Sequence, residues 1–329
     1  MPAPDPIQLS LLLLLAAAVV LYVGSRLLWV AVPWPGLWRG VVMSGPAVAL
    51  ALYHAPHAPG TAIALVVSAA VLALTLGMGV GTIDLPVTEA DGSPVLRTLL
   101  PLVATVCLCG FRGTLGWYEL AALTIVGGLT LWTAAGERRT VPAASPVLLA
   151  VPAVLICGIG LTLLILATRQ FRQGNPSGAF TPVVVLLTVP ALFLALLGLL
   201  SAEAREHRPD TPQETAAGLA IACLGVGLPA VVAVALVTRL LAGPLPTLPR
   251  AATQPSLNDV YVVAEPVLGP IVVPLVTWRV DSVLLVVVSV LLLPIGAGRF
   301  KFGRAEGAWL ILIYLAYAAV ATRTGTTAG

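Results

Sequence analysis

The chain is expected to be an all-α integral membrane protein of ten to eleven transmembrane helices in two inverted five-helix repeats. Three observations lead there. Of its 329 residues, 59% are hydrophobic and only 9% are charged, where a soluble chain carries roughly 25% charged residues. Apolar runs near the length needed to cross a bilayer, about 20 residues, follow one another at 8–30, 37–54, 60–82, 95–111, 115–135, 146–168, 181–202, 214–241, 257–277, 281–297 and 304–322. Two stretches, GFRGTLGWYELAALTIVGGLTLW (110–132) and GRFKFGRAEGAWLILIYLAYA (298–318), each run from a basic turn through an aromatic-acidic pair into an apolar helix. Internal copies of this kind mark transporters built from inverted halves.

Only Asp5 precedes the first run, with no basic residue, and the run is long enough to span and stay. A cleaved signal peptide is therefore not expected. The polar connections, chiefly TIDLPVTEADGSP (82–94), RQFRQGNPSG (169–178) and SAEAREHRPDTPQE (201–214), contain no soluble domain. If every run crosses, the 17 Lys and Arg divide almost evenly between the two sides. If 146–168 does not cross fully, Arg26, Arg39, Arg138, Arg139, Arg169, Arg172, Arg239, Arg250, Arg299, Lys301 and Arg304 gather on one side, as the positive-inside rule favours. Pro146, Pro152, Gly158 and Gly160 make a re-entrant path available to that run. The two halves are then antiparallel: 1–140 is the first membrane repeat, 141–179 a connecting segment, and 180–329 the second repeat. The alternative sets 8–30 apart as an extra helix and takes 37–168 as the first unit.

The net charge of +3 is too small and scattered for a nucleic-acid partner. Cys107, Cys109, Cys157 and Cys223 sit in apolar runs without zinc or redox spacing and read as small hydrophobes. His54 and His57 form a HAPH turn that lacks a third metal ligand, and His207 lies in a charged loop. With no nucleophile-base pair, metal triad or cofactor motif, the chain reads as a non-enzyme without cofactor. A single lysine and an Ala-Val-Leu-Pro-Gly-rich composition suit a GC-rich bacterial gene, hence a bacterial cell (inner) membrane.

The most telling segment is GLAIACLGVGLPA (218–230), a Gly-Pro helix break inside an apolar run. Such breaks are tolerated at membrane depth only where other helices or a water-filled site take up the freed backbone groups. Gly227 and Pro229, with the similar Gly45–Pro46 break and the hydroxyls of Ser44 and Ser68, are therefore expected to line a pathway. Glu265 lies well inside 257–277, and an ionisable group at that depth is a functional candidate, here a proton carrier. Asn258 and Asp259 suit an N-cap near the same pathway. Asp281 reads as a helix cap beside Arg279, Glu119 and Glu306 as first-turn acids, and Arg26 and Arg39 as snorkelling anchors of the tryptophan-rich turn at 29–38.

The order of these motifs resembles the second half of the calcium/cation antiporter superfamily, which includes sodium/calcium and proton/calcium exchangers. That family's first motif reads G-L-x-I-x-A-x-G-T-S-x-P-E, matched here at Gly218, Leu219, Ile221, Gly225 and Pro229. A G-N-x-x-G-S-N motif follows, matched at Gly269, then a helix-opening aspartate at Asp281. Last comes an R-x-E-G turn before a tyrosine-bearing helix, matched at Arg304, Glu306, Gly307, Tyr314 and Tyr317. The likeness covers 180–322, and 20–135 more faintly through Gly40, Ser44 and Pro46. The departures fall on the ligands: Val226 and Gly227 replace Thr-Ser, Ala230 and Ala47 stand where carboxylates belong, and Pro270–Ile271 replaces Ser-Asn. Ca²⁺ takes six to eight oxygens, usually with carboxylates among them, so a site of Ala, Val, Gly and Pro is not a high-affinity Ca²⁺ site.

The resemblance implies a membrane cation antiporter, sodium/proton or sodium/calcium exchanger-like, with degenerate ligands. Its partners would be a monovalent cation or proton and the surrounding lipid. The alternative is a non-transporting membrane protein, or a membrane-embedded enzyme on an apolar substrate, that reuses the scaffold.

Overall fold

The computed structural model describes residues 6–31, 36–84, 93–136, 147–174, 212–242, 270–273 and 275–327. In order these form α1 (Pro6–Ala31), α2 (Gly36–His54), α3 (Pro59–Leu72), the π-helical turn π1 (Ala73–Gly77) and α4 (Met78–Asp84). Then come α5 (Pro94–Gly110), β1 (Thr114–Leu115), α6 (Trp117–Gly136) and α7 (Val147–Gly174). After them follow α8 (Pro212–Ala222), π2 (Cys223–Gly227), α9 (Leu228–Ala242), β2 (Ile271–Val272), α10 (Leu275–Gly296) and α11 (Arg304–Thr327). Among the described residues, six helical segments are long and apolar enough to cross a membrane. The protein is an integral membrane protein.

Two of those segments form the core. In Pro59–Ile83, running through α3–π1–α4, 89% of the most apolar 18-residue window is buried, and in Gln213–Leu241, running through α8–π2–α9, 72% of it is. Both are apolar all round, with no wet face to present, so they belong inside. The others wrap them and turn Leu12, Leu15, Ile125, Leu129, Leu155, Val283 and Leu312 outward as an apolar belt. Close approach within the core depends on glycine. A Cβ on Gly40 would overlap the backbone of Thr215 and Leu219, where α2 crosses α8. At the α4–α11 contact, a Cβ on Gly79 would come 2.7 Å from the Gly307 carbonyl, and one on Gly307 equally close to the Gly79 carbonyl. Small residues that let backbones touch are how helices associate where lipid removes the hydrophobic drive.

The two turns singled out as copies are built alike. Ahead of α6, the Gly116 N–H donates to Glu119 Oε2 at 2.9 Å; ahead of α11, the Gly303 N–H donates to Glu306 Oε2 at 3.0 Å. Each is the N3 carboxylate of a capping box reaching back to the N-cap amide. Leu115 and Phe302 occupy equivalent places in the two turns, Leu115 in a strand and Phe302 in a bridge, and both are buried. Glu119→Ala and Glu306→Ala are each expected to lower stability by about 1 kcal/mol, read as the melting temperature in detergent.

Three expectations are corrected here. The run 146–168 takes no re-entrant path: α7 passes through Pro152 as one helix and packs along α1. Gly24 lies against Cys157 and Gly160 against Leu21, so the two antiparallel helices close on glycine. The run 257–277 does not reach its end as one helix, because Ile271–Val272 pairs antiparallel with Thr114–Leu115 and α10 begins at Leu275. The stretch 218–230 does not break either. It stays helical and widens to a π turn at Cys223–Gly227, in which the Leu228 N–H reaches the Cys223 carbonyl. Pro229, one residue on, lacks the N–H that would continue α-type bonding.

Candidate functional site

The π turns mark where the core departs from regular helix, and single π turns inside α-helices recur at functional sites. Their surroundings correspond. π1 packs against α8 and α11, while π2 packs against α3 and α6. At π2 the Gly225 carbonyl faces Gly127 of α6 so closely that a Cβ on Gly127 would overlap it. At π1 the Thr75 hydroxyl donates to the Val71 carbonyl at 2.7 Å, taking a backbone acceptor that the widened turn leaves available.

Beside π1, three helices bring a polar group into the apolar interior. Ser68 of α3 lies 3.3 Å from the Tyr317 hydroxyl of α11, and that hydroxyl is also hydrogen-bonded to the Asp281 carboxyl of α10. With Asp281 ionised, Tyr317 donates to the carboxylate and Ser68 to Tyr317. Asp281 and Ser68 are each 2% exposed. Asp281 Oδ1 and the indole Nε1 of Trp278 are buried without a hydrogen-bond partner among the described residues. Both residues line one small cavity of about 10 Å³, closed by Gly60, Ile63, Ala64, Val67 and Val273. Gly110, at the end of α5, leaves the space that the Trp278 ring fills.

Asp281 is thus no helix cap. It lies within α10, on the same stripe as the buried Leu285, Val288 and Leu292, while Val283, Val287 and Leu291 face outward. That i, i+4, i+7, i+11 spacing was the signal that placed it inside. A second buried polar group, also missed from sequence, joins the end of α4 to the start of α8. There Gln213 Nε2 donates to Thr82 Oγ1 at 3.3 Å and the Ser93 hydroxyl to Glu214 Oε1 at 3.4 Å. Arg39 and His54, read as interfacial and solvated, are buried instead, whereas His57 is exposed.

The other residues expected along a pathway are dispersed. Ser44 is buried and spends its hydroxyl on the Val41 carbonyl at 2.6 Å. Gly45 is exposed with open space at its Cβ position, and Pro46 is carried inside the continuous helix α2. Gly227 and Pro229 are buried at the end of π2 and the start of α9, where a Cβ on Gly227 would come 2.8 Å from Val48 Cγ2. Glu265, Asn258 and Asp259 lie outside the described residues. Among the described residues, no three His, Cys, Asp or Glu side chains gather to hold a metal ion.

Among solved structures, the sodium-calcium exchanger NCX_Mj soaked with 2.5 mM Na⁺ and 10 mM Sr²⁺ aligns over 95% of this chain and 97% of its own, with a TM-score of 0.57. The fold is exchanger-like. Sequence identity is 18%, so the likeness speaks for the fold alone. The same exchanger soaked with 2.5 mM Na⁺ and 0.1 mM Ca²⁺ matches at a TM-score of 0.56 and 19% identity, covering 95% of this chain and 96% of that one. Its form without Na⁺ and Ca²⁺ matches at 0.55 and 18%, covering 95% and 97%. No protein-family profile and no curated protein sequence matches the chain. The family resemblance read from the Gly-Pro and R-x-E-G motifs thus holds at the level of fold.

Proposed function

We propose that the chain is a cation antiporter-like transporter that exchanges a monovalent cation or proton by alternating access in a bacterial inner membrane. The observation that carries this reading is the pair of π turns in two mutually packed core helices, each covered by the helix that follows a Glu-capped turn. Irregular backbone at membrane depth is where transporters of inverted-repeat design place coupling-ion ligands, through carbonyls released from helical bonding. In this reading the chain crosses ten to eleven times, with α7 among the crossings. α3–π1–α4 of the first half, within 1–140, corresponds to α8–π2–α9 of the second, within 180–329, and 141–179 connects the halves. Two observations support it: Gln213 at the start of α8 meets Thr82 at the end of α4, and β1 pairs with β2. The sequence counterpart of SGPA (44–47) then becomes TVPA (188–191), again with alanine at the carboxylate position.

Ser44, Ser68, Gly45, Pro46, Gly227 and Pro229 would border the pathway, with Glu265, Asn258 and Asp259 contributing from outside the described residues. Hydroxyls and carbonyls suffice for a monovalent ion, while Ca²⁺ asks for more carboxylate oxygen. A thermal-shift series at constant ionic strength tests this. Na⁺ in place of choline is expected to stabilise by roughly 2.7 kcal/mol at a hundredfold excess over its dissociation constant, and Ca²⁺ to add nothing. Glu265→Gln is expected to reduce cation-driven proton flux.

One observation favours the alternative of an apolar ligand on a reused scaffold. A groove of about 520 Å³ runs between α10 and α11, lined by Val280, Val283, Leu284, Val287, Ile313 and Val320, with Arg279 among its lining residues. Stabilisation by hydrophobic ligands with no response to any cation would favour that alternative.

A further inference from the structure

We propose that Asp281 is a proton-binding carboxyl, linked through the Tyr317 hydroxyl to Ser68 and served by the small cavity beside Trp278. Three features converge on it. The carboxyl lies inside an apolar bundle, where a fixed charge costs several kcal/mol unless it is paired. Among the described residues, nothing that faces it supplies a counter-charge. α3 offers Gly60, Ile63, Ala64, Val67 and Ser68; α11 offers Tyr317, with the Tyr314 ring centroid 6.1 Å from that of Tyr317. α5 offers the thiol of Cys107, which donates to the Ser282 carbonyl. On its own helix, Arg279 is exposed and lines the outer groove between α10 and α11.

The second feature is the division of labour between the two carboxyl oxygens. One is held by Tyr317; among the described residues Oδ1 has no partner, and it shares a cavity with an indole N–H that is equally unpartnered there. At about 10 Å³ the cavity is the size of a single water-sized probe. Gly60, near the start of α3, and Val273, next to β2, place it between Asp281 and the face that carries the β1–β2 pair. A hydronium ion arriving from that face gives up a proton: one O–H bond breaks there, leaving water, and one forms at Oδ1, taking the carboxylate from charge −1 to neutral. The Tyr317 hydrogen bond persists in both states.

The third feature is what lies beyond. Ser68 is on the core helix a short step before π1, and hydroxyls both donate and accept. The Ser68–Tyr317–Asp281 chain can therefore report the charge at Asp281 to the least regular part of α3–π1–α4. That coupling rests on the transport reading above, whereas the proton site itself does not.

Infrared titration of the protein in lipid bilayers tests the site. Acidification of the wild type is expected to produce the C=O stretch of a protonated carboxyl. Asp281→Asn should remove one titrating carboxyl per chain. Tyr317→Phe, which keeps the ring and deletes the hydroxyl, should move that band in frequency. An undiminished band in Asp281→Asn, or an unmoved band in Tyr317→Phe, overturns the proposal. If Asp281→Asn does not fold, the Tyr317→Phe shift decides alone. The band is read whether or not ions move, so a normal band with no flux would refute transport and leave the proton site standing.

Discussion

Gly40→Leu is expected to abolish recovery of monodisperse protein in detergent, and Gly40→Ala to come close to doing so. A single Cβ at this position overlaps the backbone of Thr215 and Leu219. Backbone cannot rotate aside as a side chain can. Overpacking a core against side chains costs about 1–3 kcal/mol; moving α2 off α8 against backbone should exceed that range. Gly45→Ala and Gly128→Ala are the matched controls, since a Cβ at either meets nothing within 4 Å. Their size-exclusion profiles should be those of the wild type. A folded, monodisperse Gly40→Leu protein would mean that α2 and α8 do not cross at this glycine.

Pro229→Ala is expected to move stability and activity in opposite directions. Proline costs about 3 kcal/mol relative to alanine in a helix interior. Alanine would return an N–H directly after the π turn, where the Gly225 carbonyl lies against Gly127. Restored helical bonding should raise the melting temperature and draw π2 toward regular α geometry. If released carbonyls at π2 serve the ion, cation-driven flux should fall at least tenfold in the same protein. A stabilised variant with undiminished flux would separate the π turn from transport.

How far the sequence reached can be judged residue by residue. The capping turns at Gly116–Glu119 and Gly303–Glu306 were legible because their geometry is local: a glycine and a glutamate three residues apart, ahead of an apolar run. The special character of 218–230 was legible too, but not its form. Gly-Pro spacing says that α-type bonding must fail, and only packing against α3 and α6 decides between a break and a widened turn. Ala73–Gly77 adopts the same π turn with no proline nearby, so sequence offered no matching signal there. The path of 146–168 depended on Gly24 and Gly160 meeting α7 and α1 side chains across a helix pair distant in sequence. Asp281 was misread because an acidic residue near a helix start satisfies the capping rule before burial is known. Its place in the stripe with Leu285, Val288 and Leu292 outweighs that rule, and its link to Ser68 runs through Tyr317, which lies 249 residues from Ser68 along the chain.

The central proposal is that an exchanger-like fold, with alanine at Ala47 and Ala191 where exchangers carry carboxylates, moves a monovalent cation against protons. Proteoliposomes loaded with a pH-sensitive dye test it most directly. An imposed Na⁺ gradient is expected to drive proton movement well above protein-free vesicles, saturating with Na⁺, with no comparable response to a Ca²⁺ gradient. Monodisperse, folded protein that gives no proton movement for any alkali cation would contradict the account.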